Sequence, residues 1–220
     1  DASDRILTID HSHPIGTAVV IDPSNGTVVG RITLTGRAPE GGVSDGKGRI
    51  YINLEDKNAL DVVDTKTWTV VATWPIAPCD NPTGIAMDRA SRRIFSGCSG
   101  MSVVTDANTG TVVAQIPNGN GVDALGWDQA QKLMYIPAGR DGNVTVVHED
   151  SPDKYSVVAT VPTEVGAKTI SVDDATHIAY AFTPQYGPPP APAPGATPPA
   201  NPRFAPRGPI VGTVFISVAH

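Results

Sequence analysis

Two histidines one residue apart, His11 and His13, and four carboxylates, Glu40, Glu55, Asp56 and Asp80, are the side chains of this 220-residue sequence best suited to chemistry. In an extended segment the two imidazoles share one side. At that spacing they can hold a divalent metal, with carboxylates completing its shell. The plainer reading is two loop histidines that are solvated or hydrogen-bonded. Glu55 and Asp80 offer an acid–base pair of the kind that many polar rims offer. Asn81 and Arg140 add hydrogen-bond donors for a bound ligand. The sequence has no nucleophile elbow, no phosphate-cradling glycine loop and no His-Glu-x-x-His motif.

A repeat positions these residues. Aspartates 22, 64 and 106 stand forty-two residues apart, closing the runs Val20-Ile21-Asp22, Val62-Val63-Asp64 and Val104-Thr105-Asp106. One further step lands on His148, after Val146-Val147, and three extra residues in the next turn displace Ser156-Val157-Val158. Each unit reads as four short strands, because β-branched residues alternate with polar ones and turn residues separate the runs. In the third unit these strands span 83–87, 93–97, 102–105 and 111–116. One such sheet cannot bury both faces, so successive sheets must stack. Radial stacking gives an all-β fold, a β-propeller of four-stranded blades. The expected blades are 1–35 (partial), 36–77, 78–118, 119–163 and 164–220 (partial), about five in all.

Four segments carry a family resemblance: Pro82-Thr83-Gly84-Ile85-Ala86, Arg49-Ile50-Tyr51-Ile52-Asn53, Leu60-Asp61-Val62-Val63-Asp64 and Trp68-Thr69-Val70-Val71-Ala72-Thr73-Trp74. In these the chain resembles the YVTN-type repeat propellers, WD40-like in architecture, over nearly its whole length. The resemblance implies seven blades and export by a bacterium. It is specific for fold and nearly silent about chemistry.

The first unit supplies only three strands and lacks the inner one, whereas the last lacks the outer one. The expected total is eighteen. A seven-bladed ring needs ten more strands, about one hundred residues at this repeat length. The expectation is therefore most of a larger ring, which another chain can complete, with a five-bladed closure as the alternative. Propellers avoid open edges by closing.

Strand alternation sorts the loops onto two faces. One collects the Asp-rich hairpins 45–48, 88–91, 128–131 and 173–176, whose Asp and Gly residues suit turn chemistry. His148 and the hairpin residues Glu149, Asp150, Ser151, Pro152 and Asp153 fall on that face as a solvated turn. The opposite face collects His11, His13, Arg37, Glu40, Glu55, Asp56, Asp80, Asn81 and Arg140, and is the ligand-face candidate. Pairing through the hairpin at 89–92 sets residue 82 opposite residue 98, so Cys79 lies within a short loop of Cys98. A disulfide is expected there, which suits an oxidising, periplasmic or secreted location. A metal or redox pair is the alternative. Residues 184–209 contain eleven prolines and read as a polyproline II or irregular insertion, a lid, docking arm or tolerated surface segment. Its gripping side chains are Tyr186, Arg203 and Phe204.

Composition narrows the classes. A net charge of −6 opposes non-specific nucleic-acid binding, and no apolar run is long enough for a membrane-spanning helix. The 22 glycines and 21 prolines suit many tight turns. The chain opens on Asp1-Ala2-Ser3-Asp4 without a signal peptide, as a removed leader or an absent upstream piece would leave it. The leading expectation is a non-enzymatic exported scaffold that binds a small ligand or a protein partner through one loop face, with no cofactor. The alternative is a metal-dependent or quinoprotein-like lyase, hydrolase or oxidoreductase with its site over the central channel. A purely structural role, with open blades completed by another chain, is a third.

Overall fold

A β-bulge recurs at Val20/Ile21, Val62/Val63, Val104/Thr105 and Val146/Val147, each forty-two residues after the last. The repeat in sequence is thus a repeat in backbone geometry, placed where the third and fourth strands of a blade pair. The structure is a computed structural model that describes residues 4–11, 13–191 and 207–218. Arg203 and Phe204 lie outside the described residues.

Eighteen strands among the described residues form five antiparallel sheets of three, four, four, four and three strands. Blade 1 holds β1 (Ile6–Asp10), β2 (Thr17–Asp22) and β3 (Thr27–Thr33). Blade 2 holds β4 (Pro39–Ser44), β5 (Arg49–Leu54), β6 (Ala59–Asp64) and β7 (Thr69–Pro75). Blade 3 holds β8 (Ile85–Asp88), β9 (Arg93–Ser96), β10 (Met101–Asp106) and β11 (Val112–Pro117). Blade 4 holds β12 (Gly126–Asp128), β13 (Leu133–Ala138), β14 (Asn143–Ser151) and β15 (Lys154–Pro162). Blade 5 holds β16 (Thr169–Asp173), β17 (Ile178–Tyr186) and β18 (Ile210–Val218). The inner strands β4, β8, β12 and β16 pack side by side, and β1 packs on β4. Gly84 permits the closest approach, since a Cβ there would collide with the Ala124 backbone.

Period-two alternation decides which residues enter the seams between blades. The third residue of the second strand faces the following blade: Tyr51, Phe95 and Tyr135 are at most 1% exposed. Phe95 meets Trp127 and Tyr155 of blade 4 at ring-centre distances of 4.8 and 5.9 Å. The same position in blade 5 is Tyr180, which is 38% exposed, and Ile6 on the near side of blade 1 is 51% exposed. Among the described residues, these two outermost faces are left partly open to solvent.

The Asp-rich hairpins do more than turn the chain. Asp45 accepts from the backbone N–H of Lys47 and Arg49 at 2.7 and 3.0 Å, and from Arg92 of the next blade at 3.2 Å. Asp128 likewise caps Ala130 and Gln131 and meets His177 of blade 5 at 2.8 Å. One carboxylate oxygen sets the turn and the other clasps the neighbouring blade. Inside blades, Arg49 and Arg93 open the second strand, Arg5 immediately precedes it, and the three pair with Asp64, Asp106 and Asp22, which close the third. Blade 4 has Leu133 opposite His148 there, and His148 turns to Asp150 at 2.8 Å.

Two expectations change. The hairpin after His148 is not solvated throughout: β14 runs on to Ser151, and Glu149 is 1% exposed in the seam between blades 3 and 4. The proline-rich segment also begins later as an irregular stretch. Pro184, Gln185 and Tyr186 belong to β17 and pair with Thr213, Gly212 and Ile210. Extra ladder pairing outweighs the proline at 184, which lies near the end of the strand.

Candidate functional site

The links that enter the inner strands meet on one face, where hydrogen bonds lace them together. Gly41 N–H donates to Thr83 O at 3.2 Å, Thr83 Oγ1 to Val122 O at 2.9 Å, and Ala124 N–H to Lys168 O at 3.2 Å. Blades 2 to 5 are thereby joined at the entries to their inner strands. Asn53, fully buried, reinforces the lacing by donating to Thr83 O and Gly84 O while accepting from Ser96.

The side chains on these entries form the charged rim. Glu40 is half-buried, and His11 from the β1–β2 link reaches its Oε1 at 3.3 Å. Lys168 pairs with Asp123 across the blade 4–5 seam at 2.9 Å. Burial raises the Glu40 carboxyl above the usual carboxylate range; His11 opposes that, and the nearby charges of Glu55 and Asp123 add to it. Glu40 therefore lies within electrostatic reach of Glu55, Asp123 and Lys168. Asp123 and Lys168 were not among the sequence candidates. Their signal was positional, since each stands a few residues before an inner strand.

The remaining candidates divide into anchors and free groups. Asp56, in the 3-10 turn Glu55–Lys57, accepts from the backbone N–H of Arg37 and Ala38 at 3.0 to 3.1 Å. Burial works against its charge, but these donors and the Arg37 side chain hold its carboxyl below the usual range. Asp56 fixes the link between blades 1 and 2. Asp80 accepts from Asn58 Nδ2 at 2.8 Å, and Asn81 N–H donates to Asn58 Oδ1 at 2.9 Å, so the Asn58 amide pins both to blade 2. Arg140 and His13 are exposed. Among the described residues no group of three His, Cys, Asp or Glu is arranged to hold a metal ion. Cys79 and Cys98 form a disulfide with their Cα atoms 5.6 Å apart, both sulfurs deep in the core of blades 2 and 3.

Two clefts among the described residues lie elsewhere. One, of about 340 Å³, opens between blades 1 and 2 and is lined by Arg5, Leu7, Ile9, Val43, Ile50 and Trp68. It occurs where blade 1 has no strand inside β1 among the described residues. The other, about 370 Å³, is a polar notch among Asp45, Arg49, Asp64 and Arg92 on the hairpin face.

No family model and no curated protein matches the sequence. Solved structures do. A chain of the "Crystal Structure of Mitotic Checkpoint Complex" matches with TM-score 0.69 at 15% identity, over 81% of this chain and 55% of that one. The WD40 domain of Toxoplasma gondii coronin matches with TM-score 0.63 at 14% identity, over 81% and 50%. Hydrazine synthase of Kuenenia stuttgartiensis matches with TM-score 0.61 at 17% identity, over 77% and 50%. The chain thus spans about half the length of these structures. The likeness establishes a WD40-like propeller fold, and fold alone does not carry an activity.

Proposed function

We propose that this propeller is a non-enzymatic scaffold, exported and of the YVTN kind, that binds a cationic group of a protein or small ligand at the loop-face mouth of its channel. The observation that carries the reading is that Glu40, half-buried on the loop face and met there by His11 at 3.3 Å, lies within reach of the like charges of Glu55 and Asp123, with Lys168 held by Asp123 at 2.9 Å. A half-buried carboxyl such as Glu40 is costly to ionise, and an incoming ammonium or guanidinium would relieve that cost. WD40 architecture in the checkpoint-complex and coronin structures supports a protein partner. The disulfide supports an oxidising compartment. The exposed Ile6 and Tyr180 faces support a larger ring, completed beyond these five blades.

The test is a thermal-shift and calorimetric screen with arginine- and lysine-bearing peptides and polyamines. Stabilisation by cationic probes that is lost in Glu40→Lys/Glu55→Lys supports the reading. Equal stabilisation of both proteins, or turnover of a substrate panel, contradicts it.

A further inference from the structure

On the hairpin face, the polar notch of about 370 Å³ opens in the seam between blades 2 and 3. Four cations line it, Lys47, Arg49, Lys66 and Arg92, against two carboxylates, Asp45 and Asp64. Both carboxylates are already engaged. Asp45 accepts from the backbone N–H of Lys47 and Arg49 and from the Arg92 side chain. Asp64 accepts from the backbone N–H of Lys66 and Thr67 and from the Arg49 side chain. Lys47 and Lys66 are exposed and form no ion pair among the described residues. A chain of net charge −6 thus holds, by four cations against two carboxylates, a local surplus of two positive charges.

The next seam shows what such a notch accepts. Arg93 of blade 3 stands where Arg49 stands in blade 2. In both, Nη1 meets the aspartate that closes the third strand and the carbonyl of the preceding residue. Arg93 Nε also donates to Pro152 O at 3.1 Å and to Asp153 Oδ1 at 2.8 Å, on the hairpin of blade 4. That hairpin reaches it because β14 has nine residues, whereas β10 of blade 3 has six. No described residue supplies the matching acceptor to Arg49 Nε, and the Arg49 side chain is 40% exposed against 11% for Arg93. The turn residues differ in the same sense. Lys47 and Lys66 occupy the places of Ala90 and Asn108, each two residues beyond a turn aspartate and bonded to it through the backbone N–H. The seam without an internal oxygen ligand is the one that carries the extra cations.

We propose that the notch between blades 2 and 3 binds the phosphate monoester group of a small molecule. Its oxygens take the place beside Arg49 that Asp153 fills beside Arg93, and Lys47 and Lys66 flank it. The surplus of two positive charges matches a phosphate monoester, which carries nearly two negative charges near neutral pH, better than a singly charged carboxylate or sulfate ester. This site lies on the hairpin face, away from the Glu40 rim.

Isothermal titration of the full chain with phenyl phosphate and with phenyl sulfate, near neutral pH and at constant ionic strength, tests this. One saturable site for phenyl phosphate is expected, with phenyl sulfate, a monoanion, at least about fivefold weaker. Lys47→Ala/Lys66→Ala should weaken phenyl phosphate by about tenfold and leave the melting temperature of the ligand-free protein unchanged, since both side chains are exposed. Arg49→Lys keeps the charge but loses the Nε donor, and should weaken binding by about threefold or more. Arg31→Ala/Lys57→Ala removes as much charge from exposed positions outside the notch, and should bind as the parent does. The proposal is overturned if phenyl phosphate shows no saturable site, or if phenyl sulfate binds as tightly. It is also overturned if either notch variant, still folded, binds as the parent does, or if Arg31→Ala/Lys57→Ala weakens binding as much as Lys47→Ala/Lys66→Ala.

Discussion

Glu149 is the carboxyl whose setting is least comfortable. Its side chain lies against Asp88 and Ser91 in the blade 3–4 seam without hydrogen-bond geometry to either. Burial raises its pKa, and the Asp88 charge adds to that. A carboxyl raised in the folded state contributes most below its unfolded pKa and loses that contribution as pH rises through the folded value. Glu149→Gln keeps the shape and gives Asp88 a donor, so stability at pH 7 should rise by about 1 kcal/mol. Urea melts of both proteins at pH 5 and pH 7 check this, and the gain should shrink at pH 5. Asp56 has the opposite sign. Its lowered pKa stabilises above the unfolded value near 4 and is lost as pH falls below it. Asp56→Ala should cost about 2 kcal/mol at pH 7 and much less near pH 3, by the same melts. Neither role was legible in the sequence. Glu149 read as part of a turn because β14 is longer than its counterparts, and Asp56 read as a ligand because backbone acceptors look like any other loop acid.

At the scale of elements, the strands and the disulfide were legible because alternation and turn residues are local signals. Strand ends were less so: β17 continues through Pro184 because its partner β18 continues too, and that is a pairing far along the chain. The Asp-rich hairpins read correctly as turn chemistry, yet the second oxygen of Asp45 and of Asp128 reaches across a seam that no single repeat contains. Removing Arg92 would leave Asp45, 4% exposed, without its cationic partner. Arg92→Ala should destabilise by about 2 kcal/mol, measured by chemical denaturation, with Asp45→Asn partly restoring stability in the double variant. Replacing Cys79 and Cys98 with serine releases a loop of sequence separation 19. It should cost about 3 kcal/mol, and dithiothreitol should lower the melting temperature of the parent protein only.

For the molecule as a whole, the forty-two-residue period carried the fold, because a repeated sheet has few ways to bury both faces. Of the loop-face candidates, His11 and Glu40 meet, and Asp56 is held by the backbone of Arg37 and Ala38. The period did not carry the site. Asp123 and Lys168 come to Glu40 only through the curvature of the arc, and curvature is a property of the seams rather than of any repeat. Conversely, His11 meets Glu40 and not His13, so the spacing that suggested a metal pair describes two residues with different surroundings. The central claim is that the channel mouth binds a cationic group, and isothermal titration of the full chain with a triarginine peptide at low salt tests it most directly. One saturable site is predicted, weakened by about tenfold in Glu40→Gln/Glu55→Gln and by a rise to 0.5 M salt. Equal binding by the parent and the variant, or no saturable site at all, would contradict the account.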